Sequence, residues 1–249
     1  MPFLTDRCPT KYIDHTVISF LRSNQKVFDK PTDLCLRIVE VMPIVWNVLV
    51  HEIWPIFAPN ICRLTFFGGA HLTNLRHHIS PTILCDLKRL ISINSGDLFP
   101  AVIGDDVPNT TAGQALSKWL HTPTKNGQPK QLCCKDYNSL RNSGWVNDFK
   151  EEFLRATTTT RASYAIRFVL RVATPIVPFE VVNELTREKL TLETENDGHY
   201  NANWLLKRCP INGDETVPGA VQRAKRKTNE NLARFVRCPL LVVLCRVAL

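Results

Sequence analysis

No apolar run in this 249-residue chain reaches the roughly 18 residues needed to cross a bilayer as a helix, so no membrane span is expected. The nine cysteines include no C-x-x-C pair. Zinc sites use ligand pairs two to four residues apart, so the expectation is packed thiols and no structural metal. G-x-S-x-G is absent, and no local signature of a nucleophile surrounds any cysteine or histidine. Phe67-Gly68-Gly69-Ala70 follows a strand-like run but lacks the third glycine and the lysine of a phosphate cradle. It reads as a tight turn. Met1–Arg7 has an early acid, Asp6, and no long apolar core, so it is not a signal peptide. These absences set the expectation of a cytoplasmic or nuclear protein with reduced thiols, no cofactor and no enzymatic activity. The sequon Asn109-Thr110-Thr111 then has no meaning for glycosylation.

What is present is an ordinary globular composition, 44% hydrophobic and 22% charged. That excludes wholesale disorder and fibrous classes. A chain of this length buries roughly 70–75% of its unfolded surface and needs no metal or disulfide to fold. The formal charge of +8 is uneven. Lys207–Leu249 carries nine basic and three acidic residues, and so holds +6 of it. The basic run with Arg223, Lys225, Arg226 and Lys227 is a candidate interaction segment for nucleic acid or an anionic surface. Among the five tryptophans, Trp145 sits in a polar run and is the candidate for partial exposure. The others are expected in the core. Cys62, Cys133 and Cys209 lie in apolar strand-like runs, where cysteine packs as a small hydrophobe.

Periodicity predicts a helix over Tyr12–Phe28 with Asp14 as its cap, a break at Lys30–Asp33, and a short strand over Leu34–Val41. A helix is predicted over Pro43–Phe57, kinked or ended by Pro55 and stopped at Pro59. Ile61–Phe67 reads as a strand. Ser80-Pro81 opens a helix to about Lys88, and Leu90–Ile93 is a strand ended by Asn94-Ser95-Gly96. The pattern recurs as a Thr111–His121 helix with a Gln131–Cys134 strand, then an Asn147–Arg155 helix with a Ser163–Val172 strand. Helix-then-strand repeats imply parallel strands. Two architectures fit: a degenerate leucine-rich-repeat-like solenoid, in which each strand lies beside its predecessor, and a doubly wound sheet. Val177–Asn183, Lys189–Glu195 and Trp204–Pro210 then read as an antiparallel meander. The fold class expected is α/β: leucine-rich-repeat-like helix–strand units with a mainly parallel sheet plus a C-terminal antiparallel meander. Residues 1–211 are assigned to that domain and 212–249 to a basic and apolar tail. The apolar part, Pro239–Leu249, is too short to span a bilayer, and its conformation is not predicted.

Several stretches resemble one family in order: Tyr12-Ile13-Asp14 with Val17–Leu21, Ile53-Trp54-Pro55-Ile56, Asn60-Ile61-Cys62, Ser80–Leu84, Gly96–Pro100, Gln114–Pro123, Pro178-Phe179-Glu180, Leu185–Leu190 and Trp204–Ile211. Together they are similar to a large family from plant-parasitic cyst nematodes whose members carry an N-terminal F-box followed by a domain of this kind. The likeness runs from Tyr12 to Ile211. It implies a target-recognition domain of an SCF-type ubiquitin-ligase adaptor, with an unknown target protein as partner. The chain opens just ahead of the Tyr12 stretch, so the expectation is a recognition half without the F-box. A Skp-type adaptor is then not expected to bind. After Ile211 the basic run departs from the acidic, Trp- and Glu-rich sequence of similar proteins. The alternative is nucleic-acid or anionic-surface binding through that segment, which salt dependence would separate from protein binding.

Overall fold

The computed structural model describes residues 15–38, 43–66, 69–105, 107, 109–135, 144–157, 162–169, 176–195, 203–211 and 240–245. Asp14, Leu170, the Asn196–Gly198 turn and the basic residues Arg223, Lys225, Arg226 and Lys227 lie outside them.

The sheet has the order β6-β7-β8-β5-β4-β3-β2-β1-β9. Its parallel part is β1 (Thr32–Ile38), β2 (Ile61–Phe66), β3 (Ser92–Ser95), β4 (Lys130–Lys135) and β5 (Tyr164–Val169), each paired to the next. Helices run between them. The first link holds α2 (Pro43–Val48) and α3 (Trp54–Phe57), the second α4 (Gly69–His78) and α5 (Ile83–Asp86). α6 (Ala112–His121) links β3 to β4, and α7 (Gly144–Arg155) links β4 to β5. α1 (His15–Ser23) precedes β1. The meander β6 (Phe179–Asn183), β7 (Glu188–Glu195) and β8 (Asn203–Pro210) returns antiparallel, with β8 pairing to β5. The fold is α/β, and β1–β5 advance in one direction without reversal. Through these five strands the order is that of the solenoid-like alternative, each strand beside its predecessor, with no reversal point of the doubly wound kind among them. In the apolar tail, β9 (Leu240–Cys245) pairs parallel with β1.

Sequential order has a geometric consequence. Crossovers between parallel strands are right-handed, so successive crossovers in one direction place all their helices on one face. The register shows that face. Leu34, Leu64, Ile93, Leu132, Ile166, Leu206 and Leu192 stand in one row across seven strands. All are buried in one core with Trp46, Leu49, Leu72, Leu116, Trp119 and Phe149 from the helices. The row crosses from β5 into β8 and β7, so the meander shares the core of the parallel strands. Four of the five tryptophans are buried in it.

Several local expectations are corrected. α1 ends at Ser23, where Asn24 turns its amide back onto the Phe20 carbonyl, and a 3-10 turn over Gln25–Asp29 follows. Thr32 and Asp33 are not a break but already belong to β1. The Pro43–Phe57 helix is interrupted by a π-helical turn at Leu49–Ile53, in which the Trp54 amide reaches the Leu49 carbonyl. Pro55 has no N–H and its ring crowds the carbonyl four residues back. The wider turn just ahead of it relieves that conflict while keeping Leu49, Ile53, Trp54, Ile56 and Phe57 buried. The Ser80–Lys88 helix shrinks to the single turn of α5, because Ser80 and Thr82 both donate to Asp86 in a turn of their own. α4 was not expected at all. Its Leu72, Leu75 and Arg76 are buried in an otherwise polar sequence. Arg76 donates to the carbonyls of Pro81, Val107 and Thr110 and so fixes the long loop before α6. β3 lies two residues later than predicted and keeps Asn94 and Ser95. α6 starts on a capping box between Thr111 and Gln114, and Gly104 packs so closely on α6 that a Cβ would sit 2.5 Å from the Lys118 nitrogen.

Candidate interaction surface

Residues that alternate with the buried rows point to the face opposite the core. Register sets them in two rows. One is Asp33, Arg63, Ser92, Gln131, Ala165, Lys207, Thr191 and Glu180. The other is Cys35, Thr65, Asn94, Cys133, Arg167, Leu205 and Glu193. None of these side chains belongs to the core shared with the helices.

Charges on this face neutralise one another. Arg63 binds Asp33 at 2.6 Å, Arg167 grips Glu195 at 2.9 Å, Lys207 meets Glu193 at 3.2 Å, and Lys189 lies 3.7 Å from Glu180. Arg167 is on β5 and Glu195 on β7, so their pair spans β8 beside Leu205. Burial raises the Asp33 carboxyl, opposed by Arg63 and by the Cys62 thiol. Between the ion pairs the centre holds Thr65, Ser92, Asn94, Gln131, Cys133 and Ala165, half-buried and uncharged. Short side chains that can donate and accept hydrogen bonds, framed by fixed and compensated charges, suit a polypeptide surface better than a polyphosphate.

At the meander edge, β6 has no further strand beside it among the described residues. Asn183 ties it to α7 by donating to the Phe153 carbonyl at 2.7 Å and the Ala156 carbonyl at 2.8 Å. A pocket of about 310 Å³ opens between them, lined by Val146, Asn147, Lys150, Ile176, Val177 and Phe179. Trp145 opens the same helix. It is half-buried, its indole N–H donates to the Pro100 carbonyl at 2.9 Å, and its ring packs against Phe99, Phe149 and Phe168. Its polar edge is thus spent inside the fold.

Beneath the meander lies a buried polar cluster. Arg208 on β8 binds Glu188 on β7 at 2.6 Å, with both side chains nearly inaccessible. The Arg208 guanidinium also stacks 5.3 Å from Phe153 and hydrogen-bonds the Tyr164 hydroxyl. Burial pushes Tyr164 up to about 12. His121 lies edge-on to Tyr164, with its Nδ1 2.8 Å from the Ser117 carbonyl. Burial lowers it to about 4, against the raising effect of that hydrogen bond. Lys130 caps the Trp119 carbonyl and covers the Trp119 ring, and burial lowers it to about 8. One Glu188 oxygen and the Thr186 hydroxyl are buried without a partner among the described residues.

Burial likewise raises the Cys134 thiol, which the Ser95 hydroxyl contacts. Cys133 and Cys134 point to opposite faces, as adjacent strand residues must. Among the described residues no group of three His, Cys, Asp or Glu side chains could hold a metal ion. Nor is any described helix long and apolar enough to cross a membrane. The open face escaped the sequence reading. Its signal is the uncharged Thr65, Ser92, Asn94, Gln131 and Cys133 at alternate positions of β2, β3 and β4. Glu188 falls between the Val177–Asn183 and Lys189–Glu195 strand readings, and nothing beside it in the sequence announces its burial.

No family model, curated protein or solved structure matches this chain.

Proposed function

We propose that the chain is a non-enzymatic protein-interaction domain, serving as a target-recognition module of the kind that follows an F-box in ubiquitin-ligase adaptors. The observation that supports it is the sheet face opposite the helices, which no described helix covers. Repeat architectures with helices on one side and strands on the other bind partners on an extended strand surface. Here that surface carries four basic and four acidic described side chains, Arg63, Arg167, Lys189 and Lys207 against Asp33, Glu180, Glu193 and Glu195. Described charges that pair with one another around a hydrogen-bonding centre fit a folded protein target. The ligase connection rests on the family resemblance of residues 12–211.

The test compares the full chain with an Asn94→Arg/Ala165→Arg variant, which sets two unpaired cations in the centre of the face and leaves the core untouched. Proximity labelling in cells should give a set of target proteins that the variant loses, with unchanged thermal unfolding. Binding to a target so found should weaken less than about threefold between 50 and 200 mM salt. Loss of about a thousandfold, the signature of several phosphate contacts, would replace this reading with nucleic-acid binding through the basic segment. Identical labelling by the two proteins would remove the open face from the argument.

A further inference from the structure

β6 is five residues long, and one side of its backbone ladder carries no strand among the described residues. Edge strands present alternate N–H and C=O groups outward and are templates for an added strand. Natural edges are commonly blunted by charge or proline. Here Pro178 precedes the strand and leaves its interior open, and Glu180, its one charge, is engaged by Lys189. Around the edge three large apolar side chains are exposed beside the charged Glu180 and Glu184: Val177 is 73% exposed, Leu185 75% and Leu154 46%. That is unusual for an edge facing only water.

The pocket beside β6 supplies the chemistry of the occupant. Most of its lining side chains are apolar, and the one charged among them is Lys150. The Lys150 amine lies 4.7 Å above the Phe179 ring and has no carboxylate partner among the described residues. Two acids near it are engaged elsewhere, Glu151 with Arg155 at 2.9 Å and Glu180 with Lys189 at 3.7 Å. A half-buried ammonium held on an aromatic face beside an open strand edge is complementary to one acidic side chain on a passing chain.

We infer that the β6 edge and the α7 groove bind an extended peptide segment by strand addition, with one acidic side chain of the peptide placed at Lys150. Alternate peptide residues face the pocket and the solvent, so the acid is flanked two residues away by apolar, β-forming residues. This site is separate from the open sheet face and stands or falls independently of it.

The experiment selects random dodecamers displayed on phage against the full chain, with counter-selection on a Lys150→Glu variant. Enriched peptides should share alternating β-branched or aromatic residues with a Glu or Asp at a fixed offset. As synthetic fluorescent peptides they should weaken about three- to fivefold on Lys150→Gln, the range of a partly exposed ion pair, and further on Lys150→Glu. N-methylation of alternate peptide amides should abolish binding on one edge of the peptide and leave it on the other. Peptides without a shared acid, or equal affinity for wild type and Lys150→Glu, would overturn the assignment of Lys150. Tolerance of N-methylation at every position would overturn strand addition. Lys150 is half-exposed, so loss of folding does not confuse the comparison; matching thermal unfolding of the variants verifies this.

Discussion

His121 shows how one residue's surroundings set a pH response. Its ring is packed against Tyr164 and hydrogen-bonded to the Ser117 carbonyl, and the Arg208 and Lys130 charges act against its protonation while Glu188 favours it. Burial dominates and lowers it from 6.5 to about 4. Between those values the unfolded chain binds a proton that the folded chain refuses. Stability therefore rises with pH through that window, and it falls as the solution is acidified from about 6.5 to 4. The full effect is about 3 kcal/mol. Urea unfolding at a series of pH values should show this slope in the wild type and a flatter one in His121→Gln. Equal slopes would mean that His121 is already protonated in the folded protein. Lys130 works in the same direction at alkaline pH, since its lowered value leaves the unfolded chain the better proton acceptor between about 8 and 10.5.

At the scale of elements, the question is what holds the meander to the parallel strands. Each buried Leu or Ile of the shared row contributes roughly 1.5–3 kcal/mol. A buried ion pair is near neutral against apolar replacements, though breaking it from one side costs about 3–5 kcal/mol. The row therefore supplies the stability, and Glu188–Arg208 is one buried contact across the β7–β8 pairing. Glu188→Met should destabilise by about 3–5 kcal/mol, while Glu188→Met combined with Arg208→Met should cost less than the two single changes added. Additive costs in denaturant unfolding would show that the pair is not coupled. Much of this layer is legible in the sequence. Tyr164, Ile166 and Phe168 alternate cleanly, Thr111 and Gln114 spell out the cap of α6, and the period of Lys189–Glu195 gives β7. What escapes depends on distant partners. α4 buries Arg76 among backbone carbonyls of a later loop, and nothing within Gly69–His78 announces them. The π turn needs both the proline and the demand that Trp54 and Phe57 stay inward. The open face is a property of neighbouring strands in register, so Ser92 and Gln131 acquire their meaning only side by side.

For the whole molecule, order along the sheet is order along the chain through β1–β5. β4 lies in the middle of the sheet and β6 at one margin. Local opening starts where pairing is one-sided. In native-state hydrogen exchange the amides of β3, β4 and β5 should be the slowest and those of β6 faster. Protection of β6 equal to that of β4 would show that something covers this margin, and would count against peptide addition there. The charge pattern also acts at this scale. The described charged side chains of the open face, four basic and four acidic, balance although the chain carries +8.

The placing of β8 between β5 and β7 has a consequence in time. During synthesis each parallel strand can settle on its predecessor as it leaves the ribosome, because its neighbour has already been made. The β6–β7 hairpin follows β5 in the chain but touches it nowhere in the sheet. Until residues 203–210 emerge, that hairpin has no strand through which to join the rest. Nascent protein paused once Glu195 has emerged from the ribosome, with residues 203–210 still inside it, should therefore carry an assembled parallel body with the hairpin hanging from it. The emergence of residues 203–210 therefore decides whether the sheet closes up.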